Sequence, residues 1–222
     1  MNDRRVPTDR PLAYRLLQGL AQLKLRVVAD LEVEGAANYP GAGPYLIVFN
    51  HLHWLDLPVA FTTLRHQMAG LALHELAARP LIGPIARHVG HAIFVQKVTD
   101  HRALSDALAW LRDGGVLLLA PEGSRSRSGS LQAGRPGAAY LASRSGVPIV
   151  PLAAWGHEHL FRDLRSLRRA RIRVRIGQPF VLDGTPNRAK GEQLDAYTEQ
   201  IMLALAALLP REYRGVYADR AN

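Results

Sequence analysis

Short, wholly apolar runs alternate along the chain with longer stretches of helical period, and polar loops follow the runs. Tyr45-Leu-Ile-Val-Phe49, Val116-Leu-Leu-Leu-Ala120 and Val147–Leu152 read as strands apolar on both faces, as in a central sheet covered on each side by helices. Ala69–Leu73 is a further short strand candidate, and Arg171–Ile176 alternates Arg and aliphatic residues with period two, the pattern of a strand with one wet face. Between the runs, Leu57–Leu64 reads as a helix with Asp56 near its N-cap and Pro58 in the first turn. Thr99-Asp100 caps a helix that places Ala103, Leu104, Ala107, Leu108 and Leu111 on one face, and Gly114-Gly115 stops it. One more helix runs from near Pro136 to Gly146, and Glu192–Leu209 closes the chain before Pro210. Val116 to Leu152 is therefore a strand, crossover helix and strand, and the whole predicts a single α/β unit.

From Pro11 to Leu31, Leu12, Leu16, Leu20, Ala21, Leu23, Val27 and Val28 recur at helical spacing, with Arg15, Gln18, Gln22 and Arg26 largely on another side. This amphipathic helix either rests on a bilayer interface or packs on the domain. The reading divides the chain into an N-terminal helix, residues 1–30, and one domain, residues 31–222. The longest apolar run, Ile201–Leu209, has nine residues, too few to cross a bilayer, and MNDRRVPTDR has no apolar segment behind its arginines, so a cytoplasmic protein is expected.

The chain has no cysteine, which leaves any chemistry to His, Ser, Asp, Glu, Lys or Arg. Its 28 Lys+Arg against 19 Asp+Glu give a net charge of +9, a surplus that suits an anionic partner: nucleic acid, a membrane surface or a phosphorylated substrate. Arg162, Arg165, Arg168, Arg169, Arg171, Arg173 and Arg175 form the densest basic run, and only Phe161 adjoins it. Nucleic-acid binding would ask for interleaved aromatics, so anionic lipid headgroups or a merely solvated edge strand fit better.

Two polar clusters follow the two most apolar strands: Asn50-His51-Leu-His53-Trp-Leu-Asp56 after Phe49, and Pro121-Glu122-Gly123-Ser124-Arg125-Ser126 after Ala120. In open α/β sheets ligands bind beyond the carboxyl ends of the strands, so parallel strands would bring both clusters to one crevice. On a straight helix His51 and Asp56 would stand about 140° apart. A turn folds the carboxylate back onto imidazole Nδ1–H instead, leaving Nε2 as a neutral base whose imidazolium the carboxylate stabilises. A structural histidine and a helix-capping aspartate satisfy the same residues. The Glu122–Ser126 loop offers hydroxyls, a glycine that lets backbone N–H groups approach a ligand, and an arginine able to fork a phosphate; a plain polar turn is its other reading. His51-x-His53 and His157-x-His159 lack a third ligand at recognisable spacing, so no metal is expected.

Taken together, NHLHWLD followed by PEGSRS resembles the lysophospholipid and glycerophosphate acyltransferase family, whose members show His, four residues, Asp, and later a Glu-Gly-Thr/Ser-Arg block. Pro80-Leu-Ile-Gly-Pro-Ile and Gly90-His-Ala-Ile-Phe-Val-Gln-Lys97 resemble the family's second block, Val147-Pro-Ile-Val-Pro151 its fourth, and Leu209–Tyr217 an ending of some bacterial members. Three positions depart from the pattern: Gln96-Lys97 stands where the family usually has an acidic or polar residue and Arg, His74 stands before Glu75-Leu76 where Lys is common, and Ser124 replaces the commoner Thr.

The resemblance implies a mixed, mostly parallel sheet flanked by helices. It makes His51 the general base and Asp56 the residue that orients it, in direct attack of an acceptor hydroxyl on an acyl thioester. Glu122, Gly123, Ser124, Arg125 and Lys97 would form the substrate site, with Arg125 on the acceptor's phosphate and Glu122 fixing the loop. It implies no cofactor, with acyl-CoA or acyl carrier protein thioester as co-substrate and a lysophospholipid, 1-acylglycerol 3-phosphate first, as acceptor. The expected partners are these substrates and an anionic membrane surface, not nucleic acid, with the protein peripheral on the inner face of the cell membrane. The departures leave a lyso-ornithine lipid or glycolipid open as acceptor; a non-catalytic basic protein of membrane surfaces or nucleic acid is the rival from outside the enzyme class.

Overall fold

A computed structural model of the chain describes residues 11–64, 66–73, 77–80, 83, 84, 86, 91–95, 101–183 and 189–221. Lys97, Gln96, His74 and the Thr99-Asp100 cap lie outside them. The described elements are α1 (Leu12–Val28), β1 (Ala29–Glu34), β2 (Tyr45–Phe49), α2 (Asp56–Thr63), β3 (Met68–Leu73), β4 (Ile93–Val95), α3 (His101–Arg112), β5 (Val116–Leu119), α4 (Gly137–Ser145), β6 (Ile149–Trp155), α5 (Leu160–Arg165), β7 (Ala170–Ile176) and α6 (Glu192–Ala207).

The strands form one sheet in the order β1-β7-β6-β2-β5-β3-β4. Pairing is parallel except between β6 and β7, so β1 and β7 run against the rest. This is the mixed, mostly parallel sheet that the resemblance implies. β2 is central and its five residues are buried, because its period-two alternation serves two cores. Tyr45, Ile47 and Phe49 join Val59, Ala60 and Leu152 on one face. Leu46 and Val48 join Leu108, Leu141 and Ile201, from α3, α4 and α6, on the other.

Two expectations from the sequence change. The N-terminal helix stops at Val28 rather than Leu31, and residues 29–34 are a strand, so a boundary after residue 30 falls inside β1. Ala-Asp-Leu-Glu-Val-Glu carries a period of two that the apolar positions Val28 and Leu31 masked by also fitting a helix. The second change is that β7 is no edge strand. Its register sets Arg173 beside Glu32 and Arg175 beside Glu34, with N–O distances of 2.8 Å in both pairs. Arg169 is also engaged, donating to the carbonyls of Arg26 and Ala29 at the end of α1. Three of the seven arginines of the basic run thus meet α1 and β1 rather than a headgroup.

Helix α1 does pack on the domain, but through a mixed face that sets Gln18 and Gln22 beside Tyr14, Leu25 and Val28. Gln18 is buried and its Nε2 donates to the carbonyls of Phe61 (2.7 Å) and Leu64 (2.8 Å); Gln22 donates to that of Thr62 (2.8 Å). These are the C-terminal carbonyls of α2, which have no partner within their own helix. Tyr14 packs edge-on against Phe61 beside them. The leucine stripe consequently points outward: Leu12, Leu16, Leu20, Leu23 and Val27 are 49–69% exposed.

Candidate active site

β5, β2 and β6 are adjacent and parallel, so the loops leaving their carboxyl ends meet at one rim. Asn50 closes β2 and is fully buried. Its side-chain amide donates to the Ala154 carbonyl and accepts from the Ala154 N–H, both at 2.8 Å, which ties the end of β2 to β6. His51 is then clamped by the loop after β5. Its N–H donates to Glu122 Oε1 at 2.7 Å, and its carbonyl accepts from the Ser126 N–H at 2.7 Å. Glu122 Oε2 accepts from the Gln132 N–H at 2.9 Å. Both oxygens of this buried carboxylate are therefore spent on backbone, and burial pushes its carboxyl above the ordinary range against those hydrogen bonds.

The chain turns between β2 and α2, where the Asp56 N–H donates to the His53 carbonyl. The turn brings Asp56 Oδ2 to 2.6 Å from His51 Nδ1, with the His53 N–H donating to the same oxygen at 2.9 Å. The aspartate side chain is wholly buried, whereas the imidazole is 27% exposed. Nδ1–H on the carboxylate makes Nε2 the unprotonated nitrogen of a neutral ring, the arrangement of a base held in one tautomer.

The other oxygen of Asp56 is taken by a residue that the sequence alone offers only as half of a weak metal pair. His157 Nε2 bonds Asp56 Oδ1, and its ring is fully buried. Burial alone raises the Asp56 carboxyl, but hydrogen bonds from His157 and His51 overcome it and hold the group below its ordinary value. A signal for His157 was present: the third apolar run continues through Ala153-Ala154-Trp155, and only Gly156 separates its end from His157. Burial, with the His157 charge next in weight, pushes the His53 imidazole below its ordinary value.

Around this centre the Glu122 loop presents the other sequence-predicted groups. Gly123 has φ +70°, and a Cβ there would stand 2.7 Å from Arg135 Cδ, so the loop accepts only glycine without strain. Ser124 and Arg125 are exposed, and Arg125 is close enough for its charge to act on His53. The structure thus collects His51, Asp56, Glu122, Gly123, Ser124 and Arg125 at one rim. The arrangement can remove a proton from a bound hydroxyl at His51 Nε2 and attract an anion at Arg125. Trp54, 52% exposed, stacks on Phe161 beside His53, giving the rim an apolar lip.

The family model described as Acyltransferase matches residues 30–155. The 1-acyl-sn-glycerol-3-phosphate acyltransferase alpha of Bos taurus is 29% identical over 174 residues, covering 74% of this chain and 59% of the relative. A lyso-ornithine lipid O-acyltransferase of Pseudomonas aeruginosa is 30% identical over 145 residues, 64% of this chain and 54% of the relative. The chain thus spans little more than half the length of these curated relatives. The crystal structure of the 1-acyl-sn-glycerophosphate acyltransferase PlsC from Thermotoga maritima superposes with a TM-score of 0.69 at 23% identity, over 88% of this chain and 78% of that one, a likeness of fold.

Proposed function

The chain belongs to the acyltransferase family, and on that premise we propose that it moves a fatty acyl group from a thioester, acyl-CoA or acyl carrier protein, to the free hydroxyl of a lysophospholipid, 1-acylglycerol 3-phosphate first among them. The observation that carries the reading is the 2.6 Å contact of His51 Nδ1 with buried Asp56, on a ring that keeps part of its surface open. His51 Nε2 takes the proton of the acceptor hydroxyl as its oxygen attacks the thioester carbonyl. The tetrahedral intermediate collapses with cleavage of the C–S bond, and the proton passes from Nε2 to the departing thiolate, giving an ester and a free thiol. General base catalysis of this kind contributes about 10² to 10⁴-fold. No covalent enzyme intermediate is required, which suits a chain without cysteine.

Arg125 with Ser124 and Gly123 holds the acceptor's phosphate in this reading, and Lys97 joins them as the resemblance implies. Glu122 positions the loop and the His51 backbone rather than touching substrate. The Pseudomonas relative supports a second acceptor, a lyso-ornithine lipid, which carries no phosphate for Arg125 to hold.

The reaction belongs at a membrane surface. Among the described residues no helix is long and apolar enough to cross a membrane. The outward leucine stripe of α1 supports peripheral binding, as does the segment 161–168, where exposed Phe161, Leu164 and Leu167 alternate with exposed Arg162, Arg165 and Arg168.

The test is thiol release and lipid product from the purified protein over a panel of acyl thioesters and acceptors, with His51→Ala as control. Loss of turnover in a folded His51→Ala protein is expected. Near wild-type turnover in that variant would refute the mechanism, and absence of any acylated product over the whole panel would refute the activity.

A further inference from the structure

His157 lies two residues beyond the stretch that the family model matches, and the acyl-transfer mechanism leaves it without a task. Gly156, at φ +87°, packs its α-carbon so closely on the Arg171 carbonyl that a Cβ would collide with it. That left-handed turn carries the chain out of β6 and brings the His157 ring to Asp56 at the start of α2. Nε2 there meets Asp56 Oδ1, while Nδ1 has no hydrogen-bond partner among the described residues and faces Glu158 Oε2 at 3.9 Å. Glu158 is held in turn from the C-terminal segment, whose Tyr213 hydroxyl donates to Glu158 Oε1 at 2.6 Å. A continuous series of contacts, Tyr213–Glu158–His157–Asp56–His51, thus ends on the base.

We propose that His157 is a positioning residue for the proton-transfer pair, acting through Asp56. The inference rests on the acyltransferase reading of His51. With Oδ1 anchored by His157, the carboxylate cannot rotate, and Oδ2 stays aimed at His51 Nδ1 and the His53 N–H. The same bond divides the carboxylate's charge between two imidazoles, which moderates its pull on His51. Removing the donor leaves a buried anionic oxygen unpaired and free to turn. The charged and titratable groups around the pair are Asp56 from α2, Glu158 from the turn after β6, His53 from the loop after β2, and Glu122 and Arg125 from the loop after β5.

The test replaces His157 by Leu, Gln and Asn in the full chain and follows steady-state kinetics with each substrate varied. His157→Leu removes the donor, and kcat is expected to fall about 10²-fold, the scale of a misplaced catalytic group. KM for either substrate should change less than about twofold, so the loss falls on kcat. His157→Gln places an amide N–H where Nε2 stands and should recover most of kcat, whereas His157→Asn is one bond too short and should not. A low-field proton resonance from the His51 Nδ1–H on Asp56 should move in the Leu variant, a readout independent of turnover. A folded His157→Leu protein with wild-type kcat and resonance overturns the proposal. Should that variant fail to fold, wild-type kcat in both Gln and Asn variants overturns it equally. An active His51→Ala protein would instead overturn the mechanism on which the proposal rests.

Discussion

Replacing Glu122 by Ala separates bracing from substrate binding. The carboxylate accepts the N–H groups of His51 (2.7 Å) and Gln132 (2.9 Å) while 2% exposed. Alanine leaves two backbone donors without their acceptor, at about 1–3 kcal/mol each, hence a loss on the order of 2–6 kcal/mol. Relief from burying a charge offsets part of this, so the lower half of that range is expected. The chemical consequence follows from the His51 clamp: with its N–H released, the backbone that aims the imidazole relaxes, and a shift near 1 Å costs about 10²-fold in rate. Urea unfolding gives the stability loss, and initial rates with varied acceptor divide the kinetic effect. Bracing predicts a fall in kcat with the acceptor KM nearly unchanged, together with lower stability. Glu122→Gln, with one carbonyl oxygen for two donors, should fall between. A raised acceptor KM with unchanged kcat and unchanged stability would refute the reasoning and place Glu122 on the substrate.

Asp56→Asn should lower kcat by about 10² to 10⁴-fold by losing tautomer control and imidazolium stabilisation. Because the folded state depresses the Asp56 carboxyl below its ordinary 3.8, its contribution to stability is present above that value and is lost as pH falls through the depressed one. Thermal melts taken from about pH 5 downward through that depressed value should show the loss in the wild type and not in Asp56→Asn. Arg125→Ala should raise KM for a phosphate-bearing acceptor by roughly 1.5–3 kcal/mol, with Arg125→Lys recovering only part; proportional losses on phosphate-free acceptors would make Arg125 structural. Leu16→Asp with Leu20→Asp changes two exposed side chains and should leave the melting temperature unchanged. Flotation with anionic vesicles should fall at least tenfold, since each leucine forgoes about 1–2 kcal/mol of insertion; undiminished flotation would remove α1 from the membrane face.

Much of this protein is legible along the chain. Three apolar runs declare strands buried on both faces, and the polar clusters after Phe49 and Ala120 mark where their ends open. His51 and Asp56 are near neighbours in sequence, so a single turn joins them, and only the requirement for that turn had to be inferred. The link between His51 and Glu122, 71 residues apart, is different in kind. It exists because β2 and β5 are adjacent and parallel, which neither run states alone.

What the tertiary structure decided lies where a residue's partner comes from another element. Periodicity sorts the first helix into an apolar and a polar face, and burial of the apolar one is the default expectation. Yet the carbonyls closing α2 require amide donors, so Gln18 and Gln22 turn inward and Leu12, Leu16, Leu20 and Leu23 outward. The arginine run reads as an exposed basic stripe until the register of β7 with β1 supplies Glu32 and Glu34. His157 reads as half of an incomplete metal pair until β6 lands beside β2 and aims it at Asp56. Local sequence sets which residues are apolar and where strands and helices begin, because those are short-range properties of backbone and side chain. Which charge or hydrogen bond each polar group finds depends on strand order and register, and these follow from the packing of the whole chain.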